Sequence, residues 1–460
     1  LRFQHPIDGA EVGAHLGIQQ ADLPAFENQR DPRPLPPVTL PMHTQSTAPA
    51  PVDIAIIGAG VIGLACAFEL AEAGREVMLF DAAPGRGASF GNAGGITPGW
   101  VAPTATPATL RALPRMLLDP QSPLVIRPSY LPRLLPWLLH FALAARPRRV
   151  EAISRALATV AMPAVAAWQE FAARAGVSHL LRQHGLLYVY ASPGSRAGAQ
   201  AAQALRRKRG VRLDDVDAAW LRDFAPMLSP EFRFGVFSPE AAHTVNPGAL
   251  CDALLAATLV RGGRIQRLQV DDLAVEPGGV RVMTTQGAWL AQRVVLACGA
   301  HSKVLAARLG ARVPLDVERG YHAMLPAPGL QLPAQLLDGE GKYALTSMQG
   351  GLRLAGTVEL AGLALPPNHA RAHQLVGHAR RLLPELNTSD PSYWMGFRPS
   401  LPDGLPVIGF APASNRAILA FGHAHIGMTL APVTAAIVAD LLAGRRTSVD
   451  LAPFSPTRYA

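Results

Sequence analysis

Short apolar runs alternate with longer stretches of helical period along much of the chain, and the first such group is the clearest. Residues 52–57 (Val-Asp-Ile-Ala-Ile-Ile) form the near-continuous apolar run of a strand buried on both faces. Residues 64–73 follow with helical spacing, and Gly74 stands where a helix closes. A second apolar run, 76–80, ends on Asp81. Downstream, 293–296 predicts another buried strand, 352–360 alternates as a sheet strand does, and 429–442 is an apolar helical run ended by Gly444. Residues 114–149 predict an interrupted helical stretch. Residues 1–50 follow neither period: they are punctuated by Pro32, Pro34, Pro36, Pro37, Pro41 and Pro49, with no methionine before Met42. They are expected to be a disordered extension, or upstream sequence joined to a protein that starts at Met42.

Composition narrows the class. The 460 residues are too many for one core, and 49% hydrophobic with 16% charged is a globular balance. Cys66, Cys251 and Cys298 lie far apart, which argues against a disulfide framework or a zinc site. A reducing, cytoplasmic setting is the expectation. No apolar stretch was expected to reach the roughly 18–20 residues of a spanning helix. The net charge of +9 raises nucleic acid or an anionic membrane as partners. Arg206, Arg207, Lys208 and Arg209, however, close a helical stretch, where cations complement the helix dipole. Arg146, Arg148 and Arg149 follow Leu134, Leu135, Trp137, Leu138, Leu139 and Phe141, a pattern shared by core helices and helices lying on a bilayer.

The chemistry begins after the first strand. Gly58-Ala59-Gly60-Val61-Ile62-Gly63 satisfies G-x-G-x-x-G, with a strand before it and a helix after it. Gly58 permits the tight turn, Gly60 lets backbone approach a pyrophosphate, and Gly63 lets helix and strand pack closely. The helix N-terminus favours a phosphate. Asp81, 23 residues after Gly58, is placed to accept from ribose hydroxyls, which disfavours a 2′-phosphate. The unit by itself leaves NAD and FAD open.

Three further stretches carry a family resemblance. The loop Gly87-Ala88-Ser89-Phe90-Gly91-Asn92-Ala93-Gly94-Gly95-Ile96-Thr97-Pro98-Gly99 is similar to that of bacterial D-amino-acid dehydrogenases, within the D-amino-acid oxidase family. So is the strand and small-residue turn ending at Cys298-Gly299. The third is the tail: Gly396-Phe397-Arg398-Pro399, then Gly422-His423-Ala424-His425-Ile426-Gly427-Met428-Thr429 opening a helix. Ala424 departs from the family's usual glycine. The resemblance implies FAD as cofactor. Ser89 would be at the phosphates, with Asn92, Ala93 and Gly94 beside the ring. Gly299, Gly422, Gly427, Met428 and Thr429 would complete the cradle. It implies Arg398 as the clamp on a substrate carboxylate. Tyr321, in Glu318-Arg319-Gly320-Tyr321-His322, is a pocket candidate, as are Tyr343, His243, His423 and His425. No general base is assigned, because a neutral amine can lose hydride directly.

The fold expected is α/β: a discontinuous Rossmann-like FAD-binding domain (52–110, 236–310 and 395–455) with an α+β, mixed-sheet substrate domain (111–235 and 311–394). The activity implied is dehydrogenation of a D-amino acid at Cα, the substrate being neutral or a cyclic imino acid such as D-proline or cis-4-hydroxy-D-proline. Electrons would pass to oxygen or a membrane quinone, the latter with peripheral contact at the inner face of the plasma membrane. Rival readings are a glycine/sarcosine-type amine oxidase, an NAD-dependent opine-type dehydrogenase, a protein holding FAD as scaffold, and a basic RNA-modifying flavoprotein. The last lacks a concentrated basic stripe or stacking aromatics, so no nucleic acid partner is expected.

Overall fold

The computed structural model describes residues 51–119 and 122–459; the stretch 1–50, with the start read at Met42, lies outside the described residues. Two large sheets organise the chain. The first is centred on Val52–Ile57, which pairs in parallel with Val77–Phe80 on one side and Gly287–Leu296 on the other. Arg264–Gln266 extends it past Val77–Phe80, and Ser414–Phe421 joins the end of Gly287–Leu296, both in parallel.

Successive side chains of the central strand enter two different cores, which is why the run lacks polar alternation. Ile54 and Ile56 meet residues of the helices Val61–Glu72, Pro247–Val260 and Gly427–Leu442. Ala55 and Ile57 meet Leu273, Val280 and Val282 from an antiparallel pair on the opposite face. The predicted helix begins three residues earlier than periodicity indicated, at Val61, and Gly74 follows its end at φ +77°.

The second sheet runs in spatial order Ser392–Ser400, Asp316–Leu325, Gly351–Leu360, Ala344–Met348, Gln335–Asp338, Leu186–Tyr190, Phe234–Ser238 and Asp214–Val216. Its joins are antiparallel except two parallel ones, between Gln335–Asp338 and Leu186–Tyr190 and between Gly351–Leu360 and a ninth strand, Leu124–Ile126, so it is a mixed sheet as expected. Leu336, Leu345, Leu352 and Leu354 cover one face together with Leu375, Ala379 and Leu382 of the helix Ala370–Leu382. The other face carries the polar residues that reach the loop 90–95 of the first sheet.

Residues 236–238 and 395–400, grouped with the FAD-binding pieces by the sequence, are parts of second-sheet strands. The helix Ala164–Ala175, expected in the substrate segment, buries Trp168 and Phe171 in the first sheet's core, and Trp168 Nε1 donates to Met428 O at 2.7 Å. A chain that passes back and forth between two sheets of one compact unit changes partner within an element, and periodicity does not mark that. One helical stretch also exceeds the expected length. Pro147–Ala175, 29 residues long, would suit a bilayer span by length and composition alone. Its residues Leu157, Val160, Trp168 and Phe171 are instead buried in the two cores.

Candidate active site

The glycine-rich turn is closed by contacts that no larger residue permits. Gly58 holds φ +101°, and a Cβ there would lie 2.6 Å from Ala297 O. A Cβ on Gly63 would lie 1.8 Å from Gly58 O, so the helix sits against the turn's own backbone. The first turn of Val61–Glu72 carries no acid, and Ser89 Oγ accepts from Val61 N at 3.0 Å. Ser89 is thus at the helix N-terminus, where a phosphate is favoured. Asp81 accepts from Ala59 N (2.7 Å) and Ala83 N (2.8 Å), one with each carboxylate oxygen. It ties the turn in place, and each oxygen retains a second lone pair for a hydroxyl. Gly299 (φ +54°) follows the strand that pairs with Val52–Ile57. Beside it, burial pushes the Cys298 thiol up, and Sγ contacts Ile57 O at 3.1 Å, as befits a packing residue.

The loop 90–95 is fastened through its carbonyls to the second sheet. Arg353 Nη1 donates to Asn92 O (2.7 Å) and more weakly to Phe90 O (3.3 Å). Gln335 Nε2 and Thr346 Oγ1 donate to Ala93 O (3.0 and 2.9 Å), and His322 Nδ1 lies 3.0 Å from Gly91 O. Within the loop, Asn92 Oδ1 accepts from Gly94 N (2.7 Å). Thr429 Oγ1 donates to Gly95 O (3.2 Å), tying the loop to the helix Gly427–Leu442. Trp394 packs against Gly91, where a Cβ would meet its ring at 2.1 Å, and stacks on His322 at 5.1 Å between centroids. Sequence reasoning missed Arg353, Gln335, Thr346, His322 and Trp394. Arg353 left a signal, being a charged residue on the inward-facing side of the alternating run 352–360.

Arg398 lies in the row Trp394, Gly396, Arg398 on the same face of the second sheet, paired across the strands with Glu318. Its guanidinium rests on Gly320, where a Cβ would be 2.3 Å from Arg398 Cζ. Among the described residues its one hydrogen bond is from Nη1 to Thr357 O at 3.0 Å. Thr357 sits at a register shift between Gly351–Leu360 and Asp316–Leu325, at φ +59°, a strained conformation for a β-branched residue. That bulge presents the carbonyl to Arg398. Burial lowers the guanidinium's pKa while Glu318 acts in the opposite sense. Arg353 is likewise without a carboxylate partner among the described residues, and burial pushes it down to about 10. Buried Arg353 and half-buried Arg398, neither in an ion pair among the described residues, put two cations on one face. Next to Arg398, through its cross-strand neighbour Glu318, is a cleft lined by Trp100, Leu157, Glu318, His425 and Ile426, with Trp100 and His425 edge to face at 4.6 Å.

The remaining site candidates separate. His425 lines the cleft, and burial, with Arg398 nearby, pushes it down to about 4, so the ring is neutral at physiological pH. His423 is held in the core, Nε2 at 3.1 Å from Thr434 Oγ1, and burial lowers it to about 3. The structure places Tyr321 and Tyr343 away from Arg398. Both belong to the opposite side of the second sheet: Tyr321 donates to Glu359 (2.5 Å) and accepts from Asn368 N (2.9 Å). Tyr343 donates to His378 O of the Ala370–Leu382 helix at 2.8 Å. Alternation along Asp316–Leu325 sets Tyr321 off the Arg398 face, and within its pentapeptide Glu318, Gly320 and His322 are the residues that meet the site. His243 pairs opposite Gly95 and is buried near His184; burial first, then His184 and Arg182, push it down to about 4.

The tail turn completes the arrangement. Gly422 holds φ +82°, and Ala424 adopts φ +44°, the left-handed conformation that glycine favours, with its N–H donating to Pro399 O at 2.8 Å. Ala424→Gly is therefore expected to stabilise the protein by about 1 kcal/mol, seen as a higher Tm in thermal melts. An unchanged or lower Tm would show that the turn tolerates the Cβ without strain. The helix Gly427–Leu442 starts with no side-chain cap from Ile426 and no acid in its first turn, leaving the amides of Gly427, Met428 and Thr429 to attract negative charge.

These residues fit FAD. A tight glycine turn and helix end suit a pyrophosphate, Asp81 a ribose, and a second bare helix end with a loop of small residues suits a flat ring that gains negative charge on reduction. The fold and the site define a flavin-dependent oxidoreductase. Residues 53–441 match the model of the DAO family, FAD dependent oxidoreductases, and the chain belongs to that family. A D-amino-acid oxidase of Bradyrhizobium diazoefficiens is 38% identical over 415 residues, covering 88% of this chain and 98% of the relative. A D-amino acid dehydrogenase of Rhizobium rhizogenes is 29% identical, covering 89% and 100%. Glycine oxidase from Geobacillus kaustophilus superposes with TM-score 0.68 at 25% identity, covering 89% of this chain and 99% of that one. L-proline dehydrogenase from P. horikoshii shares the fold at TM-score 0.68 and 18% identity, covering 89% and 98%.

Proposed function

We propose that the enzyme oxidises the Cα–N bond of a small neutral D-amino acid or cyclic D-imino acid. The observation that carries this is Arg398: a half-buried guanidinium laid on Gly320, hydrogen-bonded to one carbonyl and facing no carboxylate partner other than the strand neighbour Glu318. A carboxylate clamped there satisfies the open donors in bidentate geometry. The substrate side chain then falls among Trp100, Leu157 and Ile426, which exclude water from the reacting carbon. Glu318, whose carboxylate accepts from Ser400 Oγ at 2.6 Å, selects against acidic side chains. FAD, when bound, accepts the hydride removed from Cα. Neutral His425 accepts a hydrogen bond from the amine and stays too weak a base to hold its proton. The D configuration is supported by the 38% identical D-amino-acid oxidase.

An anaerobic absorbance titration tests the reading. The FAD-bound protein is mixed with D- and L-alanine, D-proline, cis-4-hydroxy-D-proline, D-aspartate, glycine and sarcosine. Bleaching of the oxidised-flavin band is expected with the neutral D-compounds and not with D-aspartate. Bleaching by glycine or sarcosine alone would replace the reading with an amine oxidase of that type.

A further inference from the structure

The helix Leu131–Ala144 is apolar on two opposite sides, and the protein covers one of them. Leu134, Trp137, Phe141 and Ala144 are buried, with Trp137 stacked on Phe141 at 5.3 Å. Trp137 Nε1 reaches Ser400 O at 3.4 Å, anchoring the helix to the strand that carries Arg398. On the other side Leu131, Leu135, Leu139 and Leu143 are 40, 56, 63 and 39% exposed. Steps of four residues advance about 40° each round a helix, so these leucines form one slanted stripe. The preceding helix, Pro107–Leu118, buries none of its residues and ends on Leu117 and Leu118, 47 and 84% exposed. Six of the thirteen large apolar side chains exposed among the described residues therefore come from 117–143, a concentration that ordinary surface scatter does not produce.

Charge identifies the occupant. Between 107 and 150 the chain has Arg111, Arg115, Arg127, Arg133, Arg146, Arg148 and Arg149 against a single acid, Asp119. Arg127 pairs with Glu359; none of the other six is in an ion pair among the described residues. A second copy would bring the same excess of arginine to the contact and repel. A surface of dense phosphates over an apolar interior matches both features, because the leucines enter the acyl boundary and the arginines meet headgroups. At 14 residues the helix is too short to span, and its buried side holds it flat on the protein.

We propose that the exposed face of Leu131–Ala144 docks the enzyme on an anionic lipid bilayer. The test is flotation of the full-length, FAD-bound protein with phosphatidylcholine vesicles containing or lacking phosphatidylglycerol, at low and high salt. Binding to the anionic vesicles is expected, weakened by salt. Leu135→Glu/Leu139→Glu should weaken it by roughly 100-fold, the loss of two leucines from an apolar phase. Flavin content and turnover of a water-soluble substrate should be unchanged, since neither leucine touches the site. Wild-type protein that stays off anionic vesicles, or a double variant that binds as well as wild type, overturns the proposal. A dimer in light scattering that the double variant converts to monomer assigns the face to a second copy and also overturns it. So does vesicle binding that appears only after residues 1–41 are removed, which assigns the face to the chain's own N-terminal segment.

Discussion

Arg398→Leu should lower kcat/KM for the best D-amino acid by about 10³-fold while FAD remains bound. The estimate follows from the contacts a carboxylate would lose: two charge-assisted hydrogen bonds, each worth about 1.5–3 kcal/mol, against about 1.4 kcal/mol per tenfold. The fold should survive the change. Among the described residues Arg398 makes one hydrogen bond, to Thr357 O, and leucine is itself compatible with a half-buried strand position. The loss should be felt mainly in KM if the carboxylate is gripped equally in ground and transition states, and in kcat if its grip sets the approach of Cα. Arg398→Lys should recover little, because an ammonium lacks the planar fork. Stopped-flow reduction under anaerobic conditions measures both constants. A leucine variant within threefold of wild type would move the carboxylate anchor elsewhere, with Arg353 next in line as a buried arginine of that face lacking a carboxylate partner.

The legibility of this chain in its sequence divides along a physical line. Contacts between residues near in sequence were readable: the Gly58–Gly63 turn, the helix after it, and Asp81 at the end of the next strand all rest on local geometry. Arg398 was singled out by resemblance, and in the structure its guanidinium rests on Gly320 of the stretch 318–322. What stayed hidden depends on register. A bulge at Thr357 shifts the pairing between two strands and puts Glu359 on the far side, where Tyr321 meets it, while plain alternation puts His322 on the side of the loop 90–95. Periodicity of two predicts alternation but not which side is inward. Tyr343 was hidden for a similar reason, since its partner is a helix some 35 residues later in the chain. The fastening of the 90–95 loop by Arg353, Gln335 and Thr346 joins residues more than 240 apart, and no local pattern reports that.

Gly63→Ala should abolish stoichiometric FAD binding, although alanine is the smallest addition that can be made there. Its Cβ would stand 1.8 Å from Gly58 O, well inside any real contact, and the obstructing atom is backbone rather than a side chain that could turn away. The helix Val61–Glu72 must then move off the turn, carrying with it the amides that would face a pyrophosphate and the Val61 N–H that Ser89 receives. Because that helix is buried along most of its length against Gly427–Leu442, a shift also loosens the second helix end expected at the flavin. Affinity should fall by about 100-fold or more, and the purified variant should lack the yellow absorbance, measured by titration of apoprotein with FAD followed by flavin fluorescence. Gly74→Ala is the control. Gly74 has φ +77° but nothing within 4 Å of its Cβ position, so that change costs about 1 kcal/mol of stability and leaves the turn alone. If Gly63→Ala binds FAD as tightly as Gly74→Ala, close packing at the turn is not what holds the dinucleotide. If both lose it, general instability is the cause and the turn's geometry is exonerated.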